Sequence, residues 1–314
     1  MQKKPTFLGA QFRYLCQSFS QRERLWHRFY FFFELICLPW KYVRLCRALR
    51  RPGPGLRFES ANCVVVLLSH NRPQNLDLLV KGALQNRFVS KVIVSNSNPG
   101  FRIADWITGG DSRLTLVDET QKTLPGHRFV LADREGGERF LSIDDDILLT
   151  PEQWARFFKK LLLEPGVPHG LSGHLYLPGT VFTNGSPFHH RENTNEEVDV
   201  LIGAYAFTRA HLDRVFRLAE ALQLGCLSDI GNGEDILLSF TGISRPRIHD
   251  LGHPLLCAST SLPGVALWKT REAFWNERSA MLDKIREARL GMNPPWRSAS
   301  LARKLDYSPV PAAR

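Results

Sequence analysis

The sequence of 314 residues lacks the usual signs of secreted, zinc-binding and membrane-spanning proteins. Its six cysteines are scattered and form no CxxC pair, so neither a zinc site nor a disulfide framework is indicated. We therefore expect free thiols in a reducing compartment. The apolar run from Phe29 to Leu38 is interrupted by Glu34 and followed by Pro39, which leaves it short of the about 20 residues that a spanning helix needs. No small-residue cleavage site follows, so we expect no secretory signal peptide.

Acidic residues are also scarce at the start of the chain. Residues 1–60 hold 12 Lys and Arg against 3 Asp and Glu, whereas the rest of the chain holds 29 against 28. A nucleic-acid-binding domain would carry its positive charge on the folded face, so this distribution argues against a nucleic acid partner. It favours a basic N-terminal arm that meets an anionic surface, either a membrane leaflet or an acidic partner.

The arm and its linker are predicted to span residues 1–55, because the linker ends in a cluster of Pro and Gly. Beyond Pro39 a helix would carry an apolar arc of Tyr42, Leu45, Cys46 and Leu49. Its other half would carry Lys41, Arg44, Arg47, Arg50 and Arg51. Such a helix either lies on an anionic membrane surface or docks on the folded domain with its basic face in solvent. We expect a cytoplasmic, peripherally membrane-associated protein, with a Golgi lumen and an atypical N-terminal anchor as the alternative.

From Cys63 onward the sequence has an α/β pattern. Four short apolar runs, predicted as strands, are Cys63–Leu68, Lys91–Ser95, Leu114–Val117 and Phe140–Ile143. Helical spacing separates the first two, and a capped helix start at Thr150 and Pro151 follows the fourth. Short crossovers of this kind predict a mostly parallel central sheet with helices on both faces. A further buried strand is expected at 198–207, after a long loop or β-rich excursion at 173–200.

Polar residues follow three of these strands directly. Ligands of parallel sheets bind beyond the carboxyl ends of the strands. Here those ends carry Ser69 to Arg72, Asn96 to Asn98, and Asp144 to Asp146. The sequence therefore predicts a site at this edge of the sheet.

Three consecutive aspartates dominate that edge. Like charges raise one another's pKa, and a divalent cation would remove the cost of bringing them together. In an extended segment Asp144 and Asp146 point to the same side, so they could share a metal or a metal-bound diphosphate. The hard oxygen ligands favour Mn²⁺ or Mg²⁺. The structural alternative is a solvated acidic turn.

A second acidic pair, Glu234 and Asp235, precedes the apolar run Ile236 to Leu238. Acids at a helix start are ordinary capping residues, but two adjacent acids exceed what one cap requires. Either carboxylate could orient an acceptor or stabilise positive charge on a reacting group, and Asp235 is the better candidate.

The ordered motifs resemble the α-N-acetylhexosaminyltransferase domain of exostosin-type glycosyltransferases, which has the GT-A (nucleotide-diphospho-sugar transferase) fold. The motifs are Ser69 to Arg72, Lys91 to Val94, Ser142 to Asp146, Leu201 to Ala204, and Gly233 to Ile236. The resemblance runs from about Cys63 to Lys284. It implies a GT-A domain at 60–292, followed by a C-terminal tail at 293–314.

The resemblance also implies roles for individual residues. Asp146 would be the metal ligand for Mn²⁺ or Mg²⁺, and Asp235 and Glu234 would be the catalytic acids. The residues expected to bind the nucleotide-sugar donor are Asn71, Arg72, Ser97, Arg128, Asp144, Asp145 and Arg271. The family's arginine in the C-terminal loop aligns with Thr270, so its role would pass to Lys269 or Arg271. Gly233 replaces a cysteine of the family, and Ser97 and Thr123 replace asparagines.

The predicted function is metal-dependent transfer of a hexose or N-acetylhexosamine from a UDP-sugar to a glycan or lipid-linked acceptor, with retained configuration. One alternative is a non-catalytic, membrane-adjacent sugar-binding protein. Another is a metal-dependent phosphohydrolase, whose DxDx[TV] signature would need Thr or Val where Leu148 stands.

Overall fold

A computed structural model of the chain describes residues 6–20, 25–55, 62–182, 186–261, 268 and 273–287. The helices are α1 (Phe7–Ser20), α2 (Leu25–Leu49), α3 (Pro73–Leu84), α4 (His127–Glu135), α5 (Pro151–Leu163), α6 (Arg209–Ala221), α7 (Glu234–Ser239) and α8 (Phe274–Glu287). The strands are β1 (Cys63–Ser69), β2 (Val89–Asn96), β3 (Leu114–Asp118), β4 (Arg139–Asp144), β5 (Ile147–Leu148), β6 (His169–Tyr176), β7 (Phe188–Glu192), β8 (Glu196–Glu197), β9 (Val200–Thr208), β10 (Arg247–Ile248) and β11 (Leu255–Leu256). Arg271 and the predicted tail at 293–314 lie outside the described residues.

The main sheet has the order β3-β2-β1-β4-β9-β6-β10-β8, with β7 paired to β6. Strands β3, β2, β1 and β4 are parallel, and β9 runs antiparallel between β4 and β6. The apolar run predicted as a strand at 198–207 is β9. Its antiparallel direction could not be predicted, because a buried apolar run does not encode strand direction. The predicted α/β class with a mostly parallel central sheet is confirmed.

Both faces of the sheet are covered by helices. Along β1, Val65 and Leu67 pack into a core with α3 and α5, whereas Val64 and Val66 pack into a second core with α4, α6, α7 and α8. Side chains alternate between the faces of a strand, so an all-apolar run such as β1 must be buried on both sides. The prediction of helices on both faces is confirmed.

Helices α1 and α2 dock on the first of these cores. Phe7, Leu45 and Leu49 are buried there, and the Phe7 ring stacks on Tyr42 with centroids 5.3 Å apart. Gln11 is also buried. Its amide donates to Cys257 Sγ at 2.6 Å and accepts from the backbone N–H of Ala258 at 2.7 Å. The predicted apolar arc after Pro39 therefore faces the domain.

Helix α2 is longer than expected. It runs through Pro39 from Leu25 to Leu49, although proline lacks the N–H that a helix interior uses. The expectation of a helix beginning after Pro39 was wrong in this respect. Within the part of the chain that the structure describes, no helix combines the length and apolar character needed to span a membrane.

Candidate active site

The ends of β1, β2 and β4 meet at one edge of the sheet. In the strand register Leu68 lies beside Asp144, and Ser69 lies beside Asn96. The residues that follow each strand therefore start from neighbouring positions. The structure brings the three predicted polar segments together, as the parallel arrangement requires.

Arg72 holds two of the three aspartates. Its guanidinium group lies 2.6 Å from Asp145 Oδ1 and 3.2 Å from Asp146 Oδ2. Nε of Arg72 donates to Ser259 Oγ at 2.7 Å, which ties the turn to the segment after β11. The side-chain amide of Asn75 also donates to the Asp145 carbonyl at 2.7 Å. Arg72 is thus a fixed cation at the sheet edge.

Asp144 has a different partner. Its Oδ1 lies 2.7 Å from Nη2 of Arg128, in the first turn of α4. The Arg128 side chain is buried, donates to Ser142 Oγ at 3.2 Å and lies over the ring of Tyr205, 4.9 Å from its centroid. Arg128, which was expected to bind the donor, therefore lies beside the first of the three aspartates.

The aspartates do not continue the alternation of a strand. Strand β4 ends at Asp144, and Asp145 and Asp146 form a turn. The expectation that Asp144 and Asp146 act as a same-side pair assumed an extended segment, and the turn removes that basis. Arg72 contacts Asp145 and Asp146 instead, while Asp144 pairs with Arg128.

Asn71 and Ser97 follow the ends of β1 and β2, respectively. Ser97 is nearly buried, and its hydroxyl is 3.2 Å from Nδ1 of His70. Asn71 is exposed and accepts from the side-chain amide of Asn98 at 3.3 Å. Both therefore lie among the strand ends that were predicted to hold a donor.

The second acidic pair begins α7. Asp235 forms a buried, two-pronged ion pair with Arg278 of α8, at 2.9 and 2.8 Å. Glu234 is also buried, but in the described part of the chain no hydrogen bond or ion pair reaches its carboxylate. Gly233 precedes the pair with a φ of 101°, a left-handed conformation that favours glycine.

Tyr205 connects the two acidic groups. It lies on β9, is buried, and its hydroxyl accepts from the Gly203 backbone N–H at 2.9 Å. Burial, followed by the charges of Asp235 and Asp144, raises the pKa of Tyr205 well above its usual range. The aspartate turn and the later pair, about 90 residues apart in sequence, thus belong to one electrostatic cluster.

Gly203 allows β9 to pass close to the aspartate turn. Its φ is 73°, and a Cβ added there would lie 2.9 Å from Cδ1 of Ile147 and 3.9 Å from Oδ2 of Asp144. A side chain at this position would therefore be strained and would crowd the turn. The motif Leu201 to Ala204 owes its glycine to this close approach.

Negative charge exceeds positive charge in the cluster. Among the described residues it contains Asp144, Asp145, Asp146, Glu234 and Asp235, against Arg72, Arg128 and Arg278. Burial raises the pKa of Asp146 to about 6, although Arg72 opposes the shift. Burial and then the charge of Asp235 raise the pKa of Glu234 to about 7. The arginines of the cluster therefore do not neutralise all of its carboxylates, and a bound cation would be favoured there.

The excess of negative charge raises the question of whether these residues could hold the predicted metal ion. Within the described residues, no group of three or more His, Cys, Asp or Glu side chains is arranged to hold an ion. A protein-only metal cage is therefore not formed by these residues. Mg²⁺ and Mn²⁺, however, are often held by one or two carboxylates together with substrate phosphates. Asp146 fits that role, because its buried carboxylate has a raised pKa and only part of one guanidinium group as counter-charge.

Several residues of the cluster were not predicted from the sequence. Arg278 is 43 positions from Asp235, and Ser259 is 187 positions from Arg72. Tyr205 lies inside an apolar run that indicated only a buried strand. A polar side chain within such a run was the one available signal for Tyr205. An ion pair between distant elements, such as that of Arg278 with Asp235, gives no signal in the local sequence.

No family model matches the chain, and no curated protein matches it. Among solved structures, it is similar to GalNAc-T7 with UDP, GalNAc and Mn²⁺, at a TM-score of 0.45 and 9% identity over 65% of this chain and 47% of that one. It is also similar to CMP:2-keto-3-deoxy-manno-octonic acid synthetase complexed with CTP, at a TM-score of 0.41 and 15% identity over 73% of this chain and 98% of that one. The chain thus spans about half the length of the GalNAc-T7 chain. At these TM-scores neither likeness carries weight for the activity.

Proposed function

We propose that the chain is a nucleotide-sugar-dependent glycosyltransferase of the GT-A type. It would move a hexose or N-acetylhexosamine from a UDP-sugar to a glycan or lipid-linked acceptor. The observation that carries this proposal is the single cluster formed by Asp144 to Asp146, Arg128, Tyr205 and Glu234 at the carboxyl edge of the sheet. That edge is where parallel α/β sheets bind ligands.

The donor diphosphate would lie against the aspartate turn. Arg72 and Arg128 are rigidly held cations that can approach its oxygens, and Asn71 and Ser97 offer hydrogen bonds to the nucleotide. A diphosphate adds negative charge to a site that already has an excess of carboxylates. Mn²⁺ or Mg²⁺ on Asp146, when bound, would supply positive charge to the leaving diphosphate. Arg271, outside the described residues, is proposed to add a further cation.

The chemical step exchanges one C–O bond for another. The bond from the anomeric carbon to the diphosphate oxygen breaks, and that oxygen keeps the electron pair. The acceptor oxygen bonds to the anomeric carbon, and its proton passes to the departing phosphate. In the retaining course that the exostosin resemblance implies, both events occur on the same face of the sugar.

The two later acids have separate roles in this proposal. Glu234 is the carboxylate that stabilises positive charge on the sugar, because it is buried and its pKa responds to Arg128 and Asp144. Asp235 is neutralised by Arg278 and positions Glu234 through the first turn of α7. This reverses the order of importance expected from the sequence, where Asp235 was the stronger candidate.

The alternatives predict different products. A phosphohydrolase would release inorganic phosphate, and a non-catalytic sugar-binding protein would release nothing. Asp146 and Glu234 are buried with raised pKa values, and such a pattern is more typical of reactive sites than of passive binding. We therefore favour the transferase.

A screen of nucleotide sugars tests the proposal. The purified chain is incubated with UDP-, GDP- and CMP-sugars, with Mn²⁺ or with EDTA, and released nucleotide and phosphate are measured separately. The proposal expects slow, metal-dependent release of UDP from one UDP-sugar. Release of phosphate, or no turnover of any donor in the presence of acceptor extracts, contradicts it.

A further inference from the structure

The exposed side of α2 carries an apolar stripe, defined here as Phe32, Phe33, Ile36, Trp40 and Val43. Phe32 and Phe33 precede Ile36 by four and three positions, and Trp40 and Val43 follow at spacings of four and three, so the five residues share one face of the helix. Ile36 is 60% exposed and Trp40 is 64% exposed, although both are large and apolar. A contiguous stripe of this kind is unusual on a free protein surface and indicates a binding surface.

The stripe is separate from the side by which α2 is docked. Leu45 and Leu49 are buried in the core of the domain and Leu38 is also buried, whereas the stripe residues are exposed. Phe12 of α1 is also exposed, which adds a further aromatic ring to the surface of the arm. Docking on the domain therefore leaves a second apolar face of the arm without a described partner.

Positive charge continues the stripe toward the end of the helix. Arg44, Arg47, Arg50 and Arg51 are exposed, and the Arg44 guanidinium lies 5.6 Å from the centroid of the Trp40 ring. In the described part of the arm Glu34 is the one acid, and Lys41 pairs with it at 2.6 Å. The exposed surface is thus aromatic at one end and cationic at the other.

We propose that this surface lies on an anionic lipid bilayer. The stripe would enter the boundary between headgroups and acyl chains, and the arginines would contact lipid phosphates, as in interfacial amphipathic helices. A second copy of the chain would bring the four arginines of each copy close to one another, unless acids opposed them. An anionic leaflet provides that opposing charge without any particular geometry.

If the proposed function is right, the arm's orientation on a bilayer would also decide where the acceptor reaches the domain. A cleft of about 790 Å³ lies between the arm and the domain. Its walls include Trp40 and Arg44 from the arm, and Ile147 directly after Asp146. With the stripe on a bilayer, this cleft would lie beside the lipid surface, where a lipid-linked acceptor is available.

Flotation of the whole protein with vesicles tests the proposal without reference to activity. Vesicles of phosphatidylcholine alone are compared with vesicles containing about one-third phosphatidylglycerol, at about 0.05 M and about 0.5 M salt. The stripe variant is Ile36→Ser with Trp40→Ser, and the basic variant is Arg47→Gln with Arg50→Gln. The matched control is Leu163→Ser with Val181→Ser, since these apolar residues are 65% and 68% exposed elsewhere. Melting temperatures confirm that all variants fold.

The proposal expects wild-type and control proteins to float with anionic vesicles at low salt. It expects at least a tenfold lower bound fraction for the stripe variant, for the basic variant, and for wild-type protein at high salt. Equal binding by the stripe variant and the control overturns the proposal. So does a wild-type protein that fails to float, or that forms a dimer in solution which the stripe variant does not form.

Discussion

The aspartate turn and the later acidic pair both contain carboxylates that are adjacent in sequence, but the two groups differ in their contacts with arginines. In the turn, Arg72 and Arg128 contact all three aspartates. In the later pair, Arg278 neutralises Asp235, and Glu234 stays without such a partner among the described residues. The comparison shows that burial raises the pKa of a carboxylate in both places, to about 6 at Asp146, where Arg72 opposes the shift, and to about 7 at Glu234, which forms no ion pair among the described residues.

The largest expected effect is on stability. Arg278→Met should leave the Asp235 charge buried without its partner, which costs about 3–5 kcal/mol of unfolding free energy. Denaturant unfolding measures this loss. Arg156→Met is the matched control, because Arg156 pairs with Glu152 on the surface and such pairs contribute at most about 1 kcal/mol. If both variants lose equally little, Asp235 is not held as described.

The next effect concerns turnover. Asp146→Asn should keep the fold and lower donor hydrolysis roughly 100-fold, the scale of removing one preorganised charge from an active site. Steady-state rates with Mn²⁺ measure it, and Asp111→Asn serves as a control at a partly buried ion pair. Unchanged turnover in the Asp146 variant, or in wild-type protein with EDTA, would show that turnover does not depend on a metal ion held by Asp146.

Substitutions of Glu234 and Asp235 should affect different properties: the first should lower catalytic activity and the second the stability of the fold. Glu234→Gln should lower kcat and kcat/KM together by roughly 10- to 100-fold with little change in KM, because the charge is needed only as the sugar bond breaks. Asp235→Asn should chiefly destabilise the fold, since it removes the charge that Arg278 faces. Kinetics and unfolding of both variants measure this split. If Asp235→Asn chiefly lowers turnover and Glu234→Gln chiefly lowers stability, Asp235 is the main catalytic carboxylate instead.

The smallest effect is a dependence of stability on pH. Glu234 has a folded pKa of about 7, raised above its unfolded value, so it contributes stability that is present below the unfolded pKa and lost as pH rises toward 7 and above. Glu234→Gln should therefore melt close to wild type near pH 4 and several degrees above it at pH 8, about 2–4 °C for each 1 kcal/mol. Calorimetric scans at both pH values measure the difference. A constant difference across pH would show that Glu234 is not a buried acid.

Local signals predicted much of the fold. The strands β1 to β4 follow from short β-branched runs, and the start of α5 follows from Thr150, whose side chain and that of Gln153 form a reciprocal cap. The nine-residue helix α4 was missed, since two turns give little periodicity to detect. The expected start of a helix beyond Pro39 was wrong, because α2 runs through the proline from Leu25 to Leu49.

The site was predictable where the strand ends determine it, and less so elsewhere. Arg72, Asp145 and Asp146 meet because β1 and β4 are neighbours in the sheet. Arg278 and Ser259 come from the C-terminal third of the chain and join the cluster only through tertiary packing. Which of Glu234 and Asp235 stays free depends on Arg278, so sequence alone could not rank them.

Calorimetric titration of UDP tests most directly whether the aspartate turn holds a nucleotide diphosphate. We expect Mn²⁺ to strengthen UDP binding to the wild-type protein at least tenfold over EDTA, and Asp146→Asn to abolish this gain while a melting curve shows the fold intact. Equal UDP affinity for wild type and variant, with and without Mn²⁺, would contradict it.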